Sequence, residues 1–218
     1  MPQFAEFGPA AAWLKRHPQV RCVDLLLADL MGIPRGKRVT AAELEGVHGS
    51  GLLLPGSMFA LDVLGGTVQS TGLGFDEGDA DRVCLPIAGT LVPVPWLGAD
   101  IAQMQVSMYE HDRSAFHGDP RHVLENVVAR FTALGLKPVM AVELEFYLVD
   151  RERTPAGHAQ PPRQPLTGRR ELKTQINSMQ ELNEYSAVLG AIAAAARDQE
   201  LPVGTVLAEY GPGQFEVN

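Results

Sequence analysis

No run of about 18 apolar residues occurs in this chain, so no helical membrane span is expected. Positive charge is in deficit. Lys and Arg number 18 against 26 Asp and Glu, a formal net charge of −8. That balance argues against a nucleic-acid partner held by a basic surface. Cysteine is nearly absent. Cys22 and Cys84 lie far apart, without Cys-x-x-Cys spacing. They read as two buried reduced thiols in the cytoplasm rather than a disulfide or a zinc site. The amino terminus, Met1-Pro-Gln-Phe-Ala-Glu-Phe7, lacks a basic segment followed by an apolar run, so no signal peptide is expected. No internal repeat is visible. The glycine-rich stretch 49–56 lacks the Gly-Lys-Ser/Thr ending of a phosphate loop. Ser57, Ser107 and Ser114 have no nucleophile-elbow context. The histidines (17, 48, 111, 117, 122 and 158) are scattered near turns, and surface residence is the plainer account of each.

Against these absences stands ample core material: 45% of residues are hydrophobic and 20% charged, a globular composition. Residues 9–16 read as a short helix stopped by Pro18, and 20–30 as a strand. Gly32 and Pro34 mark a turn into a second strand, Arg35 to Thr40. Residues 41–47 suit a short helix. The glycines and prolines of 49–56 are expected to interrupt any regular element, and the stretch to Gly78 to be a surface loop. Prolines within 83–94 suggest edge strands, and period-two alternation marks 101–109 as a strand.

The pattern changes near residue 112, where a domain boundary is expected between 1–112 and 113–218. Asp119-Pro120 is a helix start, with a capping carboxylate and proline at the first helical position. Val123, Leu124, Val127, Val128 and Phe131 mark its apolar face, and Gly135 its end. Residues 151–170 read as a loop. A helix over 180–199 carries Leu182, Val188, Leu189, Ile192 and Ala196 on or near one face. Strands are expected from Thr205 to Tyr210 and from Gln214 to Asn218, joined by Gly211-Pro-Gly213. The order is that of an α+β fold.

The most informative segment is Met140-Ala-Val-Glu-Leu-Glu-Phe-Tyr-Leu-Val149. Residues two apart on a strand share a face. Met140, Val142, Leu144, Phe146 and Leu148 therefore form an apolar face, while Glu143 and Glu145 project together from the other, their Cα atoms roughly 6.5–7 Å apart. The Gly-Pro-Gly turn brings Glu209 and Glu216 to either side of itself, so both can reach one pocket. Four carboxylates on adjacent strands repel without cations. Hard divalent ions prefer oxygen ligands, and a two-metal site that clamps phosphates is the natural use. Taken by itself, a Glu-x-Glu strand is more simply the solvated face of an antiparallel sheet. A glycosidase carboxylate pair flanks its sugar from opposite sides, which neighbours on one strand do not.

These segments also resemble the glutamine synthetase family. The resemblance rests on Val-Glu-Leu-Glu-Phe-Tyr-Leu, on Glu209-Tyr-Gly-Pro-Gly-Gln-Phe-Glu-Val-Asn218, on Asp79-Ala-Asp-Arg-Val-Cys-Leu-Pro86, on Gly89-Thr-Leu-Val-Pro-Val-Pro-Trp96 and on Asp24-Leu-Leu-Leu-Ala-Asp-Leu-Met-Gly32. Ser57-Met-Phe-Ala-Leu-Asp62 and Thr71-Gly-Leu-Gly-Phe75 are most similar to the bacterial branch that joins glutamate to polyamines. The resemblance implies an amino-terminal β-grasp domain and the first part of a glutamine synthetase-type catalytic domain. It implies an ATP-dependent ligase that phosphorylates the glutamate side chain, after which an amine attacks the γ-glutamyl phosphate. By the family pattern Glu145, Glu209 and Glu216 hold one Mg²⁺ or Mn²⁺, and Glu143 contributes to a second ion bridging the ATP phosphates. Where glutamine synthetases carry an aspartate that helps bind ammonium, this chain has Pro55 before Gly56-Ser57. The departure points to a bulkier amine such as putrescine; ammonia is the alternative acceptor. Family members are ring homo-oligomers that extend well beyond this length, so the 218-residue chain is expected to lack synthetase activity by itself. The rival expectation is a non-catalytic protein that binds a metal or a partner.

Overall fold

The computed structural model describes residues 4–74, 78–173 and 176–218. Phe75, which ends one motif of the resemblance, and the first three residues of the amino-terminal stretch lie outside them. The chain divides into two compact units, Met1–Pro138 and Val139–Asn218.

In the first unit the elements run α1 (Phe7–Arg16), β1 (Cys22–Ala28), β2 (Pro34–Thr40), α2 (Leu44–Ser50), β3 (Leu52–Pro55), β4 (Asp81–Pro86), β5 (Val92–Pro93), β6 (Ile101–Tyr109) and α3 (Pro120–Ala133). The strands form a mixed sheet in the order β2-β1-β6-β4-β3, with β5 paired to β6. β1 and β6 are parallel, with Cys22 opposite Ile101 and Leu26 opposite Gln105. Their alternation sends Val23, Leu25 and Leu27 of β1, and Ala102, Met104, Val106 and Met108 of β6, into one core. Ala10, Leu44, Val47, Phe59 and Phe116 belong to the same cluster.

The β1–β2 turn is organised by a buried carboxylate. Asp29 accepts from the Met31 and Ile33 amides, each at 2.8 Å, and from Arg35 Nε at 2.9 Å. Burial pushes this carboxyl up, but the amides and the guanidinium outweigh it and hold it below the usual carboxylate range.

Several expectations for this unit need correction. The stretch 49–56 is not free of regular structure: Leu52–Pro55 is a strand paired with β4. Gly51, at φ 87°, makes the turn out of α2, and the proline stands at the strand's last residue, where it interrupts no interior pairing. Nor is the following stretch wholly on the surface, because a 3₁₀ turn over Gly56–Ala60 buries Phe59 and Ala60. β4 is an interior strand, not an edge; its proline, Pro86, is again terminal. Cys84 is buried, and burial pushes its thiol up to about 12; Cys22 is only half-buried, and both are free.

Helix α3 starts as expected, with the Asp119 carboxylate capping the Arg121 amide at 2.9 Å, and ends in a Schellman arrangement around Gly135. Its packing differs. The one residue it buries is His122, not a surface histidine: Nε2 donates to the Met108 carbonyl at 2.9 Å, and Nδ1 lies 2.9 Å from the Glu125 carboxylate. The Met108 amide donates to Asp119 at 2.8 Å. Polar groups of the first turn thus dock the helix on β6, and the row from Val123 to Phe131 stays exposed.

The second unit contains β7 (Leu144–Tyr147), α4 (Met179–Glu184), α5 (Ser186–Asp198), β8 (Val206–Ala208) and β9 (Gln214–Val217). The strands form an antiparallel sheet in the order β7-β9-β8. Tyr185, Leu189, Ala208 and Phe215 form its core, flanked by Phe146, Leu148, Leu182 and Val206. The Tyr185 and Phe215 rings meet edge to face at 5.2 Å. Burial, then the nearby Glu181 and Glu184 carboxylates, push the Tyr185 phenol up to about 12.

The helix expected over 180–199 is broken at Tyr185 into α4 and α5. Buried Glu181 and Glu184 of α4 tie down the long loop, accepting from Gln164 Nε2 and from the Leu166 amide, each at 2.8 Å. Strand β7 is shorter than its alternation suggests. Met140, Val142 and Leu144 are exposed, whereas Phe146 and Leu148 pack on the core.

Candidate metal centre

The carboxylate face is built by register. Glu145 stands directly opposite Glu216 across β7 and β9, and Leu207 faces Glu216 from β8. Phe146, Phe215 and Ala208 occupy the alternate positions and go to the core. Glu145 and Glu216 therefore share the face turned away from it. The pairing continues one residue beyond β8, where the Glu209 amide donates to the Gln214 carbonyl at 2.9 Å. This puts Glu209 on the Glu145–Glu216 face. Glu143 is exposed and lies one residue ahead of β7, outside the ladder.

The turn between β8 and β9 makes this register possible. The Gln214 amide donates to the Gly211 carbonyl at 2.9 Å, closing a four-residue turn with Pro212 second and Gly213, at φ 74°, third. Gly213 must be glycine for a second reason: a Cβ there would sit 2.9 Å from the Leu148 carbonyl.

The four glutamates differ in their partners. Glu145 Oε2 accepts from Gln214 Nε2 at 2.9 Å. Glu209 Oε2 accepts from the adjacent Tyr210 amide, at 3.2 Å. Among the described residues Glu143 and Glu216 have no side-chain hydrogen-bond partner, and none of the four forms an ion pair. Glu216 is nevertheless only 8% exposed. Like charges directly opposite on neighbouring strands are destabilising. All the donors are carboxylate oxygens, the set that suits Mg²⁺ or Mn²⁺. As the side chains stand, no three or more His, Cys, Asp or Glu among the described residues are gathered closely enough to hold an ion. The chemistry of the donor set and the shared face fit a divalent cation.

Two residues that sequence reasoning passed over join this face. Tyr147 Oη donates to Gln214 Oε1 at 2.8 Å, as does the Gly211 amide at 2.8 Å. The same period-two rule that picks out Glu145 and Glu216 includes Tyr147 and Gln214, but neither residue type signals a metal site.

Residues 117–218 match the family model described as glutamine synthetase, catalytic domain. Over 206 residues the chain is 41% identical to gamma-glutamylputrescine synthetase of Escherichia coli (strain K12), covering 94% of this chain and 43% of that relative. It is 27% identical over 214 residues to a glutamate–isopropylamine ligase of Pseudomonas sp, covering 94% of this chain and 44% of the relative. A solved structure titled as a novel glutamine synthase homolog superposes with a TM-score of 0.73 at 25% identity, over 91% of this chain and 43% of that one. The chain thus spans less than half the length of these relatives. No helix among the described residues is long and apolar enough to cross a membrane.

Proposed function

We propose that this chain, which belongs to the glutamine synthetase family through residues 117–218, supplies part of an ATP-dependent glutamate–amine ligase. Its product would be a γ-glutamyl amide, formed by way of γ-glutamyl phosphate. The observation that carries the reading is the direct opposition of Glu145 and Glu216 on a face that also holds Glu209, with no ion pair to any of the three among the described residues.

In this reading Glu145, Glu209 and Glu216 hold one Mg²⁺ or Mn²⁺, and Glu143, just outside the ladder, contributes to a second. Such ions, when bound, supply positive charge to a phosphoryl group in transfer. The protein's own part is positioning. Strand register fixes two carboxylates across β7 and β9, and the Gly211–Gln214 turn returns the chain so that Glu209 meets the same face. Residues 1–112 form a β-grasp domain on this view, supported by the parallel β1–β6 pair flanked by antiparallel neighbours. Residues 113–218 begin the catalytic domain. A ring homo-oligomer in the cytoplasm completes the reading.

A polyamine such as putrescine is the favoured acceptor. Support comes from Pro55 at the end of β3, where an aspartate would help bind ammonium, and from the 41% identity to a gamma-glutamylputrescine synthetase. Two experiments test the reading. Titration of the chain with Mn²⁺, followed by loss of the free-ion electron paramagnetic resonance signal, should show binding that Glu145→Gln and Glu216→Gln each weaken strongly; binding indifferent to both changes removes the metal centre. A full-length relative with proline at the position of Pro55, supplied with ATP and glutamate, should release phosphate faster with putrescine than with ammonium. The reverse preference overturns the acceptor assignment.

A further inference from the structure

The amide of Gln214 has one orientation open to it. Its Oε1 faces two groups that donate, the Gly211 N–H at 2.8 Å and the Tyr147 hydroxyl at 2.8 Å. A backbone N–H can only donate, so the oxygen must be the atom turned toward Gly211. The nitrogen is then committed to the other side, where it donates to Glu145 Oε2 at 2.9 Å. Gln214 is 9% exposed, and it stands opposite Tyr147 in the β7–β9 register, one position along the same face from the Glu145–Glu216 pair.

Gly211 is part of the same device. A Cβ at Gly211 would lie 2.6 Å from the Tyr147 ring and 3.0 Å from Gln214 Oε1. A side chain at Gly211 would therefore displace the Tyr147 ring or the Gln214 amide.

We propose that Gln214 is the positioning residue of the metal centre, orienting the Glu145 carboxylate by donating to one of its oxygens and leaving the other directed to the ion. The inference rests on the metal reading above. It adds a residue that carries no charge, contacts no ion, and acts through Glu145 alone. Partners that orient a ligand in this way are typically worth about 10–100-fold in metal affinity.

The test is Mn²⁺ affinity of the chain, measured by electron paramagnetic resonance, for wild type, Gln214→Leu and Gln214→Met. Both variants should bind Mn²⁺ about 10-fold or more weakly and change the line shape of the bound ion. Met keeps the unbranched length of Gln and guards against simple misfolding by the Leu variant, with far-ultraviolet circular dichroism checking both. A purely structural role is separated by a double-mutant cycle: in a Glu145→Gln background the Gln214 change should have no further effect on residual affinity. Wild-type binding with unchanged affinity and line shape in a folded Gln214 variant overturns the positioning role alone. Full additivity in the cycle does the same. Failure of the wild-type chain to bind Mn²⁺ removes the metal centre and this inference with it.

Discussion

The two units differ in how their buried carboxylates are partnered. In the first, Asp29 is surrounded by two amides and a guanidinium, and Asp119 caps one amide of its own helix and accepts another from β6. Each charge is answered within the fold. In the second, Glu181 and Glu184 are answered in part by the long loop, but Glu216 stands opposite Glu145 with no side-chain hydrogen-bond partner among the described residues. The cores differ in size: among the described residues sixteen buried ones cluster in the first unit and four in the second. The first unit partners its two buried aspartates with donors of its own. The second keeps a thin core and a row of carboxylates that form no ion pair among the described residues.

The largest effect should come from the thin core. Phe215 is fully buried, on the central strand, against Tyr185 and Phe146. Phe215→Ala should cost about 3–5 kcal/mol. Hydrogen exchange should locate the loss in the amides of β7 and β9, leaving β1 and β6 protected as before. Equal loss in β1 and β6 would show that the units unfold as one, and the contrast between their cores would then carry no energetic meaning.

A middle-sized effect is expected where the first unit's polar economy is removed. Asp119→Ala deletes a helix cap and leaves the Met108 amide without an acceptor under α3. The combined cost should be about 2–3 kcal/mol, read from the urea midpoint, with faster exchange at the Met108 amide. A loss below about 1 kcal/mol would mean that His122 alone docks the helix, since the cap by itself is worth about that much.

How much of this was legible beforehand follows from the same contrast. Alternation in 101–109 and the caps around Asp119 are local signals, and those elements stand where expected. What could not be read depended on partners distant in sequence. Strand β3 exists because β4 offers it a ladder, which the glycines around it conceal. The apolar row of α3 is real, but the polar pair Asp119 and His122 decides which side meets β6. At the candidate site, parity put Glu143 and Glu145 on one face, and the Gly-Pro-Gly turn set Glu209 and Glu216 to either side of itself. Only the antiparallel register set them directly opposite, and only the turn geometry at Gly211 brought Gln214 between Tyr147 and Glu145.

The smallest effect sharpens the contrast most, because its sign is unusual. Glu216→Gln removes a charge from a residue that is 8% exposed. At a structural carboxylate such a change destabilises, since donors lose their acceptor. Here no donor among the described residues is lost, and repulsion with Glu145 directly across the strand is relieved. In the absence of metal the variant should be more stable by about 0.2–1 kcal/mol, the range for directly opposed cross-strand pairs. With Mn²⁺ the order should invert, because wild type gains stability from binding and the variant does not. Thermal melting with and without Mn²⁺ reads both signs in one experiment. A variant less stable than wild type under both conditions would mean that Glu216 is answered within the fold after all, as Asp29 and Asp119 are, and the distinction between the two units would fail at the residue on which it rests.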